Sequence, residues 1–436
     1  MKDALSVPIA VTATEDSEKI TRYQRLTLLS GFLGWAFDSM DLSLFTVVLV
    51  PSIAELTHTT NIGHITQIGA LILAIKLFCW GIGGVVFGVV ADRFGRARTM
   101  IITILIYSGF TGLTALAQNW QELAFFQAIA GIGIGGEWSA GAALIAETWS
   151  EKRRARAMQI MQMAFAFGFF LAALDNLLLG PISWRWVYVA GALPGVISLI
   201  VRFYVPEPDR WLHVRQQEDQ AGMRDGASGA WKTFAAIFHR DLRRNTIVGV
   251  LVSSAMMIGC WGGLALLPNW IQQLVHQSGA KNGVQTVSYA FMLMMIGSVA
   301  GYLSLIWFTD VLGRRGAYFL FAFGSLVASL YLFLQVNDLH TLLWFMLVYG
   351  YFVIGGFGTF ALYLPELFPT RVRATGQGFC WNAARSITAI GPLSIGLLLA
   401  AFGSFPAAAS ATTAAYVIGL IAIWFGPETK GVPLRD

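Results

Sequence analysis

Gly88-Val89-Val90-Ala91-Asp92-Arg93-Phe94-Gly95-Arg96-Ala97-Arg98 is a short charged interruption between two long apolar runs. Its core returns 218 positions later as Asp310-Val311-Leu312-Gly313-Arg314. Two more pairs keep nearly that offset. Glu147 stands seven residues before Arg154, and Glu366 stands seven before Arg373; Pro206-Glu207 returns as Pro427-Glu428. Three matches at about half the length of a 436-residue chain point to a duplication.

The runs on either side of these motifs set the fold class. Hydrophobic residues make up 56% of the chain and charged residues 12%, with a mean hydropathy of +0.63. A soluble domain carries roughly twice that charge fraction. About 20 apolar residues in a helix cross the hydrocarbon core. Spans are expected near 27–50, 66–90, 99–118, 121–146, 156–179 and 185–204, and again near 246–273, 285–309, 316–336, 341–364, 374–400 and 406–425. A membrane β-barrel is excluded, because its strands would alternate over ~10 residues. The expectation is an all-α membrane protein of twelve transmembrane helices in two six-helix pseudo-repeats. Its parts are residues 1–205, a linker over 206–244 with some helix and a glycine-rich piece at 222–229, and residues 245–436. The polar residues Thr12, Glu15, Asp16, Glu18 and Lys19 argue against a cleavable signal peptide.

Of 29 Lys and Arg, Lys76 and Arg385 fall inside spans. With both termini on one side, only Arg185 and Lys281 face the other. By the positive-inside rule the termini are cytoplasmic, in a cell (inner) membrane. The net charge of +5 then describes loops beside anionic lipid, and no nucleic-acid partner is expected. Cys79, Cys260 and Cys380 lie in apolar spans without metal-ligand spacing and read as small hydrophobes. Trp184, Trp186 and Trp270 near span ends fit interfacial belts. No phosphate loop, nucleophile triad or metal cluster appears, so neither an enzyme nor a cofactor is expected.

A charge at mid-membrane costs at least ~2.5 kcal/mol, which makes each one a functional candidate. Asp38, Asp41, Lys76, Glu137 and Arg385 lie near span centres. Asp38 and Asp41 share a helix face; one carries a coupling proton, or one salt-bridges Lys76. Glu137 carries protons or pairs with Lys76 or Arg385. Arg385, on one face with Asn382, reads as a two-point carboxylate anchor or as an interhelical ion pair. Lys76 is a second cation able to lose its charge in a dry site. Trp138, Trp261 and Trp381 stack on a ring-bearing substrate, or simply pack. At the cytoplasmic surface, Gly88, Asp92, Arg93, Gly95 and Arg96 read as a conformational gate. Asp310, Gly313 and Arg314, with the Glu147/Arg154 and Glu366/Arg373 pairs, are expected to behave alike.

These motifs resemble the major facilitator superfamily over essentially the whole chain. The stretch 88–98 matches its loop signature. Pro206-Glu207-Pro208-Asp209-Arg210-Trp211, Pro365-Glu366-Leu367-Phe368-Pro369-Thr370-Arg371-Val372-Arg373 and Pro427-Glu428-Thr429-Lys430-Gly431 resemble its sugar-porter-like branch. Gly34-Trp35-Ala36-Phe37-Asp38-Ser39-Met40-Asp41 and the glycine-rich run Gly131 to Trp138 are most similar to organic-acid proton symporters of the sialate, lactate or aromatic-acid kind. Two positions depart from the pattern: Gln127 and Trp80 stand where many relatives place arginine. The resemblance implies a secondary transporter, a monomer in membrane lipid, importing a small organic acid with protons. A sugar or polyol symporter and a drug or metabolite exporter are the alternatives.

Overall fold

The computed structural model describes residues 20–220, 228–277 and 283–435. The polar N-terminal residues, the glycine-rich piece up to residue 227 and Lys281 lie outside the described residues. Helices α1 (Arg22–Thr57), α2 (Ile62–Phe94), α3 (Arg96–Thr114), α4 (Trp120–Thr148), α5 (Glu151–Leu179) and α6 (Trp184–Phe203) form the first six spans. Two shorter helices, α7 (Asp209–Gln220) and α8 (Ser228–Ala236), come next. Then follow α9 (Arg243–Gln277), α10 (Gly283–Val311), α11 (Gly313–Gln335) and α12 (Leu339–Tyr349). A π turn at Gly350–Ile354 and a 3-10 turn at Gly355–Phe357 carry α12 into α13 (Gly358–Glu366). The last pieces are α14 (Arg373–Thr388), α15 (Gly391–Phe402), α16 (Phe405–Thr412) and α17 (Ala415–Ala422). No strand occurs among the described residues.

Eleven helices in the described residues are long and apolar enough to cross a membrane. The twelfth expected span, 374–400, is built from α14 and α15, of 16 and 12 residues. The helical ladder is interrupted at Ala389 and Ile390, which keep helical torsions, because Pro392 has no N–H to give the carbonyl four residues back. Other helices outrun their apolar stretches; α1 has 36 residues, about 54 Å, against the expected 27–50.

The glycine-rich run places α4 in the middle of the first six helices, with 83% of its apolar window buried. A Cβ on Gly131 would meet the backbone of Lys76, and one on Gly135 the backbone of Trp80. Small residues here let α2 and α4 touch main chain to main chain. Cys260 and Cys380 are buried and Cys79 partly so. Trp186 is 55% exposed, as a belt residue should be, but Trp184 and Trp270 are buried. Trp184 turns inward because its indole N–H donates to Glu55 at 2.7 Å.

The repeated Pro-Glu dipeptides have a structural cause. Gly95 (φ +108°) and Gly313 (φ +76°) turn the chain sharply into α3 and α11, in a region that strains other residues. Each turn leaves a helix N-terminus with unbonded N–H groups. Glu207 accepts from the amides of Arg96 (2.7 Å), Ala97 (3.2 Å) and Arg98 (3.1 Å). Glu428 accepts from the amides of Arg314 (2.9 Å) and Arg315 (3.1 Å), and also from Thr429 and Lys430. A carboxylate suits the positive end of a helix. Partial burial works against the charge of Glu428, but these amide bonds outweigh it and hold its pKa below the usual glutamate value.

A depressed carboxylate pKa stabilises the fold above the unfolded value of about 4.3 and is lost as pH falls through the folded value. Glu428→Gln is expected to weaken the cap by about 0.5–1 kcal/mol, seen as a lower melting temperature at neutral pH. The gap between wild type and variant should close on acidification below about pH 4. A gap that persists there would assign the effect to packing instead of charge.

Candidate functional site

One charged layer and one aromatic cavity lie between the halves, and a second charged layer lies within the first six helices. The first layer sits at the end holding the start of α1 and the last residues of the chain, here the terminal face. Asp92 pairs with Arg96 at 3.0 Å and accepts from the amides of Ala374 (3.1 Å) and Thr375 (2.7 Å), at the N-terminus of α14. Gly88 faces the carbonyl of Ala374, which brings α2 and α14 into contact. Arg96 reaches Glu147 at 2.9 Å and the Thr370 carbonyl at 2.7 Å.

The sequence reading grouped Glu147 with Arg154 and Glu366 with Arg373. The structure crosses them: Arg373 bonds Glu147 at 2.7 Å, and Arg154 lies 3.4 Å from Glu366. Each glutamate also holds the arginine of its own half, Arg96 for Glu147 and Arg314 (3.2 Å) for Glu366. The seven-residue spacing lets a helix-end glutamate and a helix-start arginine face the equivalent end of the other half. The two loop signatures are not alike, however. Asp310 is exposed and forms no ion pair among the described residues, and Arg93 is only half-buried. The final residues join this layer, where the Arg435 carbonyl accepts from Thr370 and Arg373.

The second layer is inside the first six helices. Lys76 bonds Asp41 at 2.6 Å and Gln127 at 2.7 Å, and Thr111 donates to Asp41 at 2.5 Å. This accounts for the departure at 127. Glutamine accepts from the lysine, whereas an arginine there would set two cations side by side. Glu137 pairs with neither Lys76 nor Arg385. Its partner is Arg202 at 2.5 Å, with Thr103 donating at 2.9 Å. Arg202 is fully buried within α6 and does not belong to the loop cations. Its position four residues before Pro206, inside an apolar run, was the available signal. Asp38 is equally buried, yet neither carboxylate oxygen makes a hydrogen bond among the described residues. The three-residue spacing therefore separates one engaged acid, Asp41, from one unengaged acid, Asp38.

The cavity is lined by Trp35, Gln162, Phe165, Trp261, Tyr302, Ile354, Phe357, Trp381 and Arg385. It offers about 20 Å³ to the centre of a water molecule, room for about one or two waters. Arg385, from the last turn of α14, is its charged residue. The guanidinium lies 3.8 Å from the Trp80 ring centroid and 5.6 Å from that of Trp381, and its Nε makes no hydrogen bond. Tryptophan at 80 is thus a platform for the arginine on the facing half. Asp38 lies within electrostatic reach of Arg385. Asn382, one turn earlier on α14, is pressed against Gly84 of α2 and donates to the Gly378 carbonyl at 2.9 Å; it does not line the cavity. Trp138 and Trp381 stack on each other across the halves, centroids 4.4 Å apart and planes 15° from parallel. Trp381 still lines the cavity; Trp138 donates to Gln162 at 3.1 Å. Gln162 and Gln159 of α5 cross the interface to the carbonyls of Phe357 (3.3 Å) and Gly358 (2.9 Å), where the irregular turns of Gly350–Phe357 have interrupted the helix ladder.

Comparison with known proteins fits this architecture. Residues 31–392 match the model of the Major Facilitator Superfamily. A putative metabolite transport protein of Haemophilus influenzae is 30% identical, over 96% of this chain and 100% of its own length. A cis,cis-muconate transport protein of Acinetobacter baylyi is 28% identical, over 94% of this chain and 96% of its own. The structure of the proton:xylose symporter XylE bound to 6-bromo-6-deoxy-D-glucose superposes with a TM-score of 0.77 at 19% identity, covering 94% of this chain and 98% of that one, a likeness of fold. The chain belongs to the Major Facilitator Superfamily and is a multi-pass membrane transporter, not an enzyme.

Proposed function

We propose that this transporter carries a small organic carboxylate into the cell together with a proton. The observation behind the reading is the pairing of a buried, incompletely bonded Arg385 in an aromatic cavity with a buried, unbonded Asp38 on the opposite half. A guanidinium grips a carboxylate in two-point fashion, and the rings around it suit a flat, unsaturated or aromatic acid. The similarity to a cis,cis-muconate transport protein supports the same class. Asp38 takes the proton, because an uncompensated carboxylate in a dry site favours its neutral form. Asp41 and Glu137, already held by Lys76 and Arg202, keep the helices in register. With the acid on Arg385 and the proton on Asp38, no unpaired charge is left to oppose closure. A monocarboxylate and one proton moving together carry no net charge, so the pH gradient drives accumulation, by about 1.4 kcal/mol or tenfold per pH unit. The positive-inside rule makes the terminal face cytoplasmic, and its crossed ion pairs the gate on that side.

Proteoliposomes with an internal pH dye test the transport reading. Aromatic and unsaturated monocarboxylates should acidify the lumen, faster as the external pH falls. Arg385→Ala should weaken apparent affinity about thirtyfold or more. Asp38→Asn should stop acidification while substrate exchange continues. A response to neutral sugars alone, or acid uptake unchanged in Arg385→Ala, would sink the carboxylate reading.

The gate gives a separate expectation. Removing one partner of a buried ion pair costs about 3–5 kcal/mol, enough to reverse a two-state population. Spin labels on the exposed positions Arg98 and Asp310 should therefore report longer distances in Glu147→Gln than in the unmodified background. An unchanged distribution would reduce the crossed pairs to static packing.

A further inference from the structure

Below the latch formed by Asp92 lies a second cavity, far larger than the first, about 860 Å³. It is open in part to solvent and bounded by the end of α2, by α7, by α8 and by the residues leading into α14. Arg93, Arg215, Lys232 and Arg371 line it against two carboxylates, Asp92 and Asp241, with His239 at the edge. The acids do not neutralise it evenly. Asp92 is engaged by Arg96 and two amides, and Asp241 lies 3.5 Å from His239 at the exposed rim. Arg93, Arg215 and Lys232 are each engaged within the protein. The volume is that of a ligand site and not of a packing defect. Trp231 (71% exposed) and Phe238 (43% exposed) stand beside it on and after α8, where aromatic rings at headgroup level would be found.

We propose that this cavity binds a phosphate-type anion, either a lipid phosphodiester headgroup or free phosphate, and that the bound anion braces the terminal face. The chemistry follows from the lining. Two cations come from the linker helices, Arg215 and Lys232. The other two come from opposite halves: Arg93 follows Asp92 in α2, and Arg371 lies two residues before α14. An anion held by all four ties both halves to the linker beside the Asp92 contact. Basic pockets on the cytoplasmic side of membrane proteins take phosphate headgroups for the same reason. The carboxylate site at Arg385 plays no part in this argument.

The test uses the purified full-length transporter. Its melting temperature is measured with millimolar inorganic phosphate against chloride of equal ionic strength, and with phosphatidylglycerol against phosphatidylcholine. A rise of about 2 °C or more is expected for at least one of the two anions. A shift with phosphate alone identifies a free anion; one confined to phosphatidylglycerol identifies a headgroup. Arg215→Gln/Lys232→Gln should abolish the shift while leaving the melting temperature without anion within about 1 °C of wild type. Should the double variant fail to fold, Lys232→Gln alone, at an exposed position, should weaken the apparent affinity severalfold. No shift with either anion, or a full shift in the folded variants, would overturn the proposal.

Discussion

A charged side chain withdrawn from water into hydrocarbon is tolerated only with a partner of opposite sign or with hydrogen bonds that replace its hydration. That constraint organises this interior. Lys76 and Asp41, Glu137 and Arg202, Arg96 with Asp92 and Glu147 are all buried, and all lie within 3.0 Å of a partner. The apolar helices supply the length and the lipid-facing surface. The charges decide which helix faces which, because any other arrangement leaves one of them bare. Against that background, Asp38 and Arg385 stand out as the two central charges without a direct protein partner on the relevant atoms.

The same rule operates between the halves, with a two-fold flavour. A glutamate at the end of α4 takes the arginine that starts α14, and the arginine near the start of α5 takes the glutamate that ends α13. Duplication made the two sets equivalent, and exchange of partners made them a joint. The symmetry is incomplete where Asp92 docks on α14 and Asp310 docks on nothing described. One half therefore contributes a latch that the other does not return.

Much of this was legible in the chain. The apolar runs and the repeat offset near 219 gave the helices and the two halves, because lipid leaves little freedom in how a backbone satisfies itself. Asp38, Arg385 and the loop motifs could be picked out because charge in such runs is rare. What the sequence hid was pairing. Spacing places Asp38 and Asp41 on one face, but only the position of α2 gives Lys76 to Asp41. Arg202 was overlooked because it lies close enough to a span end to pass for a loop cation. The break before Gly391-Pro392 was likewise invisible to a hydropathy count, which sees composition and not continuity. Asn382 shares a face with Arg385 by sequence, yet the close approach of α2 at Gly84 draws it into a helix contact.

That break has a mechanical consequence. The first turn of α14 is pinned to Asp92 and Arg385 projects from its last turn, with about 18 Å of unbroken helix between Arg373 and Arg385. Beyond it the hydrogen-bond ladder is interrupted before α15 begins. The segment is a stiff rod, clamped at one end and released at the other. The Asp92 contact and the proposed carboxylate anchor sit at opposite ends of one helix.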